Sequence, residues 1–216
     1  MTTRESPPEF SVLLPVYHKD RAAFLRRSLT SVTVDQELPP DEVLLVRDGP
    51  VPSSLEDVLV DAESGRLTDG VPVRVLRLER NQGLARALEE GLAAVSYDTV
   101  ARQDADDISL PARFSCQLPL IAKGYELVGS AIQEFVDEAD QEGLVRRQPA
   151  SMEGIRRALS IRDPFNHPSV VFSASKVRSV GGYQDLDLME DYWLFARMVH
   201  SGVRAVNVPE VLVRYR

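Results

Sequence analysis

A single cysteine, Cys116, leaves the chain unable to form an internal disulfide and excludes a disulfide-stapled scaffold. No positively charged start followed by an apolar stretch marks a secretory signal, so the cytoplasm is the expected compartment. Nor does any uninterrupted apolar run approach the roughly 20 residues that cross a bilayer, although peripheral attachment to a membrane surface stays compatible with the composition. A Lys/Arg-rich run is also missing, and with a formal charge of -8 nucleic acid is not an expected partner. Two nucleotide-binding signatures are absent, G-x-G-x-x-G and G-x-x-x-x-G-K-[ST], as are internal repeats and low-complexity tracts. What remains is 216 residues, 44% hydrophobic and 27% charged, enough for one domain with a substantial core.

Residues 1–9 are polar and carry Pro7-Pro8, which predicts a flexible lead. Phe10-Ser-Val-Leu-Leu-Pro-Val16 then reads as a buried strand ending near Pro15, and Asp20 to Val34 as a helix capped by Asp20. Strands are predicted at 42–46, 71–78 and 99–101, with helices at 53–62 and 83–95 between them. This β-α alternation predicts a mixed α/β fold with a mainly parallel sheet flanked by helices. The second half is less regular. Helices are expected at 111–122, 152–160 and 191–200, strands at 127–136, 144–147, 170–172 and 205–208, and a turn at Gly181-Gly182. The segment Val213-Arg-Tyr-Arg216 reads as a strand rather than a frayed tail, as in a catalytic domain trimmed from a longer chain.

The most informative stretch is Arg102-Gln-Asp-Ala-Asp-Asp-Ile-Ser-Leu-Pro111, which places Asp104, Asp106 and Asp107 just beyond a short apolar run. Three like charges so close repel one another, and a divalent cation with a preference for oxygen, Mg²⁺ or Mn²⁺, relieves the repulsion. Few protein ligands leave coordination positions open for nucleotide phosphates, which points to metal-assisted chemistry on a nucleotide-linked substrate. The competing account is helix capping by acidic residues ahead of Pro111. In a parallel sheet all carboxyl ends of strands share an edge, so Val16-Tyr17-His18, Asp48-Gly49 and the acidic run should line one cleft. Asp48 could accept hydrogen bonds from a base or ribose, or simply form an Asx turn. Asn81-Gln-Gly83, with Arg86 close behind, could offer backbone amides to an anion, or begin a helix for conformational reasons alone.

The ordered set Ser11-Val-Leu-Leu-Pro-Val-Tyr17, Glu42-Val-Leu-Leu-Val-Arg-Asp-Gly49, Asn81-Gln-Gly-Leu-Ala-Arg-Ala-Leu88, Asp104-Ala-Asp-Asp-Ile108, Asn166-His-Pro168, Gly181-Gly-Tyr183, Glu190-Asp-Tyr-Trp193 and Leu212-Val-Arg-Tyr-Arg216 resembles the family 2 inverting glycosyltransferases of the GT-A fold. The resemblance covers nearly the whole chain and departs at Arg47, where many members carry an acidic residue. It implies a donor half at 10–108 and an acceptor half at 109–216. Pro15, Val16 and Tyr17 would frame the nucleoside of a UDP-, dTDP- or GDP-sugar, Asp48 would contact the base, and Asn81, Gly83 and Arg86 would hold the donor side. Asp104 would reach the ribose or the metal, Asp106 would ligate Mn²⁺ or Mg²⁺, and Asp107 would order the loop or support a metal ligand from behind. Asp191, beside Glu190, would be the general base for a sugar or lipid-linked acceptor, with His167 and Trp193 as further acceptor contacts and surface polysaccharide assembly as the setting. Against this, Glu190-Asp191 also makes a favourable helix start, and Tyr192 and Trp193 could simply fill the core.

Other functions fit less well. The D-x-D of the haloacid dehalogenase phosphatases ordinarily follows the first strand, whereas here three predicted strands precede the one it follows. A calcium loop beginning at Asp104 would put Ser115 where a bidentate Glu is required. A nucleotidyltransferase and a noncatalytic nucleotide-sugar-binding protein are the remaining alternatives.

Overall fold

A computed structural model of the protein describes residues 6–136, 141–186 and 189–216. Most of the expected flexible lead lies outside the described residues. The continuous apolar runs form β1 (Phe10–Tyr17) and β2 (Glu42–Asp48), joined in parallel by β3 (Val73–Arg77) and β4 (Thr99–Arg102) in the order β3-β2-β1-β4. Between them run α1 (Ala22–Val32), α2 (Ser53–Glu63) and α3 (Leu84–Ala94). After a two-residue strand β5 (Ile108–Ser109) come α4 (Arg113–Ala122), β6 (Leu127–Val136), β7 (Gln141–Arg146) and α5 (Met152–Ala158). A 3-10 turn at His167–Ser169 leads into β8 (Val171–Ser173), α6 (Ala174–Ser179), α7 (Glu190–His200) and β9 (Ala205–Tyr215). The sheet continues β4-β8-β6-β9-β5, with β7 on β6, so an antiparallel β8 joins the parallel half to a parallel β6–β9 pair. The result is the expected mixed α/β fold, whose longest pairings are parallel.

Alternation along β1 explains the two-sided burial. Val12, Leu14 and Val16 pack with Leu25, Leu29, Leu55 and Phe114 from α1, α2 and α4, while Leu13 packs with Leu88 and Leu92 of α3 and the α7 residues Leu194, Phe195 and Met198. Each such side chain, when fully buried, contributes about 1.5–3 kcal/mol. These layers fix the carboxyl ends of β1, β2 and β4 along one edge.

Several boundaries differ from the sequence expectation. Asp20 does not cap α1; Arg21 occupies that position, and the Asp20 carboxylate turns back to accept the Tyr17 amide at 2.8 Å, closing the turn after β1. Pro111 precedes α4 rather than beginning it, and α6 and β5 were not anticipated. The strand expected at 205–208 and the terminal strand are one element, β9. Register shifts against β6 around Ala131 absorb Pro209, which has no N–H to offer a ladder.

Gly49 closes β2 at φ +78°, and a Cβ there would lie 2.4 Å from the Asn81 nitrogen. Gly65 has the same φ of +78° but open space around it. Both Gly→Ala changes therefore incur the left-handed backbone cost, of about 1 kcal/mol, and only Gly49→Ala adds a backbone clash. Urea unfolding should show Gly49→Ala less stable than Gly65→Ala by roughly 1–3 kcal/mol; equal losses would mean the Gly49–Asn81 approach is not rigid.

Candidate active site

The carboxyl ends of β1, β2 and β4 open onto a cleft of about 440 Å³. Pro15, Val16 and Tyr17 line it from β1, Asp48, Asn81 and Gly83 from the end of β2 and the loop before α3, and Asp104 and Asp106 from the acidic loop after β4. The sequence-predicted donor residues thus come together, with the exception of Arg86, which is exposed on α3 and does not line the cleft. Asp20, Tyr215 and Arg216 also line it, although the sequence reading gave none of them a site role.

Asp48 is buried at 4% exposure, and its two carboxylate oxygens accept the Gln82 amide at 2.7 Å and the Gly83 amide at 2.9 Å. These bonds reach across to the loop before α3 instead of forming an Asx turn. They also correct the expectation that the Asn81 loop holds its amides out for an anion: those of Gln82 and Gly83 already serve Asp48. Each Asp48 oxygen keeps a second lone pair for a ligand in the cleft.

The acidic loop rests on a buried brace. Gln103 Nε2 donates to the Asp107 carbonyl at 3.0 Å and to Ser28 Oγ at 3.0 Å, while Ser28 Oγ donates to the Asp104 carbonyl at 2.7 Å. Beneath it the fully buried Arg113 donates to Gln103 Oε1, Ser109 Oγ and the Arg102 carbonyl at 2.6–2.8 Å. Burial lowers the Arg113 pKa to about 9. The side chain of Asp104 pairs with Arg102, itself only 2% exposed, and Asp106 projects into the cleft. Asp107 turns inward, where Oδ1 accepts the Arg216 amide at 2.9 Å.

Crowding is visible in the titration of these groups. Burial, then Asp104, raises the Asp106 carboxyl, and the same two causes raise Asp107. Burial pushes Asp20 up to about 7 despite the Tyr17 amide, with Asp106 and Asp104 adding to the rise. Hard oxygen donors carrying excess negative charge fit a divalent cation such as Mg²⁺ or Mn²⁺. Among the described residues no group of three or more His, Cys, Asp or Glu is gathered into a complete metal cage. A cation on Asp104 and Asp106 would therefore complete its shell from ligand oxygens and water.

The other acidic pair opens α7. Asp191 Oδ1 accepts the Tyr192 amide at 2.7 Å, and Oδ2 lies 3.7 Å from His167 Nδ1. Glu190 is raised chiefly by burial and then by Asp191, while Arg102 pulls it down. Arg102 lowers both Asp106 and Glu190, so the acidic loop and the start of α7 share the field of one buried guanidinium. His167 is buried, and burial with Arg102 nearby takes its pKa well below the usual imidazole value, so the ring is neutral. Trp193 is 42% exposed and donates its indole N–H to Gln184 Oε1 at 2.9 Å, so it does not fill the core. Tyr192 is anchored through its hydroxyl to the Leu159 carbonyl.

The family model described as glycosyl transferase family 2 matches residues 11–179. An amylovoran biosynthesis glycosyltransferase, AmsE of Erwinia amylovora, is 40% identical over 96% of this chain and 76% of its own length. The UDP-Gal:alpha-D-GlcNAc-diphosphoundecaprenol beta-1,3-galactosyltransferase of Escherichia coli is 36% identical over 98% of this chain and 75% of its own. In fold, the chain is similar to the mannosyltransferase PcManGT from Pyrobaculum calidifontis, solved in complex with GDP-Man and Mn²⁺, with a TM-score of 0.72 at 17% identity, over 98% of this chain and 58% of that one. The chain spans 36% to 60% of the solved chains it resembles, which at that identity speak for the fold alone. A family model covering most of the chain, and relatives this similar over nearly all of it, settle the affiliation: the protein belongs to glycosyltransferase family 2 and has the GT-A fold.

Proposed function

We propose that the protein is a metal-dependent, inverting glycosyltransferase that moves a sugar from a nucleotide-sugar donor to a hydroxyl of a lipid-linked glycan during surface polysaccharide assembly. The observation that carries this reading is the gathering of Asp48, Asp104 and Asp106 with Pro15, Val16 and Tyr17 around one cleft. Pro15, Val16 and Tyr17 hold the nucleoside beside Asp48, with Asn81 and Gly83 lining the same cleft. Asp104 and Asp106 hold the cation, Mn²⁺ or Mg²⁺, which when bound offsets the charge developing on the leaving diphosphate. Arg216, at the rim of the same cleft, adds a positive charge on the donor side.

Asp191 supplies the base. As the acceptor oxygen bonds to the anomeric carbon, its proton passes to Asp191 Oδ2, and the bond from that carbon to the diphosphate oxygen breaks on the opposite face. One direct displacement inverts the anomeric configuration. Trp193 offers an exposed ring to an acceptor sugar beside that carboxylate. Relatives named for amylovoran biosynthesis and for a diphosphoundecaprenol-linked substrate support a lipid-linked acceptor and peripheral attachment at the inner face of the membrane. No helix among the described residues is long and apolar enough to cross that membrane.

The test is a nucleotide-release screen of UDP-, dTDP- and GDP-sugars with and without Mn²⁺. UDP-galactose and an α-GlcNAc-diphosphate lipid are the first pair, since the E. coli relative is named for them. Asp106→Ala should abolish metal-dependent donor binding, read by calorimetry, whereas Asp191→Asn should bind donor normally and lose transfer by about 10²–10⁴-fold. Unchanged transfer in Asp191→Asn would reject the base assignment. A protein that binds donor and releases no nucleotide with any acceptor would be a binding protein instead.

A third carboxylate bears on the acceptor side. Burial, and then the neighbouring Asp191, pushes Asp163 up to about 7 against the Phe165 amide that holds it down. A carboxyl raised in the folded state stabilises the fold below its unfolded pKa, about 4, and that contribution is lost as pH rises through the folded value. Between about pH 4 and pH 8 the wild-type melting temperature should therefore fall more steeply than that of Asp163→Asn, which keeps the neutral form throughout. Parallel slopes would show that Asp163 is solvated.

A further inference from the structure

His167 and Tyr183 are placed with more care than loop residues need. His167 is 7% exposed and Tyr183 6%, and His167 Nε2 lies 2.9 Å from the Tyr183 hydroxyl. The histidine sits in the 3-10 turn, which Asn166 pins to β6 through a 2.8 Å bond to the Ser130 carbonyl. Its ring packs against Phe195 of α7 at a centroid distance of 5.8 Å. Tyr183 is held from two other sides. Its amide donates to Glu89 of α3 at 2.8 Å, and Arg197 of α7 donates to the preceding Gly182 carbonyl at 2.6 Å. Gly182 lies at φ +63° with the Glu89 carboxylate against it, so close that a Cβ would sit 2.3 Å from Glu89 Oε2. Two helices, a 3-10 turn and a strand thus converge to aim one tyrosine hydroxyl at one imidazole.

The far side of that imidazole faces Asp191. A neutral ring has one donor and one acceptor nitrogen. Nδ1 looks toward a carboxylate, which can only accept, so the proton belongs on Nδ1; Nε2 is then the acceptor, and the Tyr183 hydroxyl must be the donor. We propose that Tyr183 and His167 are positioning residues that aim the Asp191 carboxylate, with Tyr183 Oη donating to His167 Nε2 and His167 Nδ1–H directed at Asp191 Oδ2. The inference rests on Asp191 being the general base. At 3.7 Å the Nδ1 contact is longer than a hydrogen bond, as is common before substrate binds, and it tightens when an acceptor fills the site. With Oδ1 already fixed by the Tyr192 amide, the relay fixes Oδ2 and leaves one lone-pair direction for the acceptor hydroxyl. An imidazolium in the same place would pair with the carboxylate and quench it as a base; burial of the ring keeps it neutral.

Two measurements test this. The chain has only three histidines, so ¹⁵N spectra of the imidazoles resolve His167 without substrate. The expected result is a neutral ring protonated on Nδ1, with Tyr183→Phe moving the Nε2 signal; an Nε2-protonated ring would overturn the relay. The second is turnover with UDP-galactose, Mn²⁺ and the α-GlcNAc-diphosphate lipid. His167→Ala should lower kcat about 10–100-fold with donor KM within roughly twofold, and His167→Asn, which restores an N–H toward Asp191, should recover about tenfold. In an Asp191→Asn background, adding His167→Ala should cost nothing more. Equal losses in both backgrounds, or no rescue by Asn in a folded variant, would reject positioning. Full transfer by Asp191→Asn would sink the base assignment itself, while loss in Asp191→Asn with normal kcat in His167→Ala would sink only the relay.

Discussion

Like charges held close together at the end of β4 are the constraint on which the rest of the molecule turns. Left to themselves, Asp104, Asp106 and Asp107 would splay apart. Gln103, Ser28 and Arg113 prevent this by holding the loop through its carbonyls, leaving the carboxylates free of the brace. The backbone is tied down and the side chains keep the charge. Arg113 can do this only because each of its three nitrogens finds an oxygen; a buried guanidinium with fewer partners would cost more than it gives.

A second theme is the joining of two acidic groups that the chain supplies from distant segments. Arg102 belongs to the strand that ends in the acidic loop, yet its field reaches Glu190 and His167 on the other side of the sheet edge. Its placement lets one buried cation moderate both groups, so that neither carries its full self-repulsion. The same economy appears in α3, whose start is tied to Asp48 in the cleft and whose Glu89 secures Tyr183 beside His167.

Much of this was legible in the residues. The apolar runs of β1 and β2, the break at Asp48-Gly49 and the acidic run after β4 predicted a shared edge, and the structure brings those segments to one cleft. What sequence could not supply was which of several available partners, near or distant, each polar group would take. Asp20 reads as a helix cap because Ser, Thr, Asp and Asn ahead of a helix usually are, but here the β1 turn competes for its carboxylate and wins. Asp48 reads as a turn residue because its partners, Gln82 and Gly83, are more than thirty positions away. Arg102 and Arg216 look like ordinary arginines at strand ends until the sheet folds them inward. The break at Pro209 conceals the continuity of β9, since a proline within a strand normally argues against one. A signal for Tyr183 did exist, in the two glycines before it, whose backbone freedom is needed where Glu89 presses on Gly182.

The pairing of Arg216 with Asp107 has a bearing on how the molecule assembles. Residues near 15 and residues at 215 and 216 share one cleft, so the pocket has no local folding unit of its own. Closing it requires β9 to find β6 across the middle of the chain, and contacts of such wide sequence separation form slowly because the intervening loop must first give up its freedom. The intact cleft should accordingly be the last feature gained during renaturation and the first one forfeited when β9 frays.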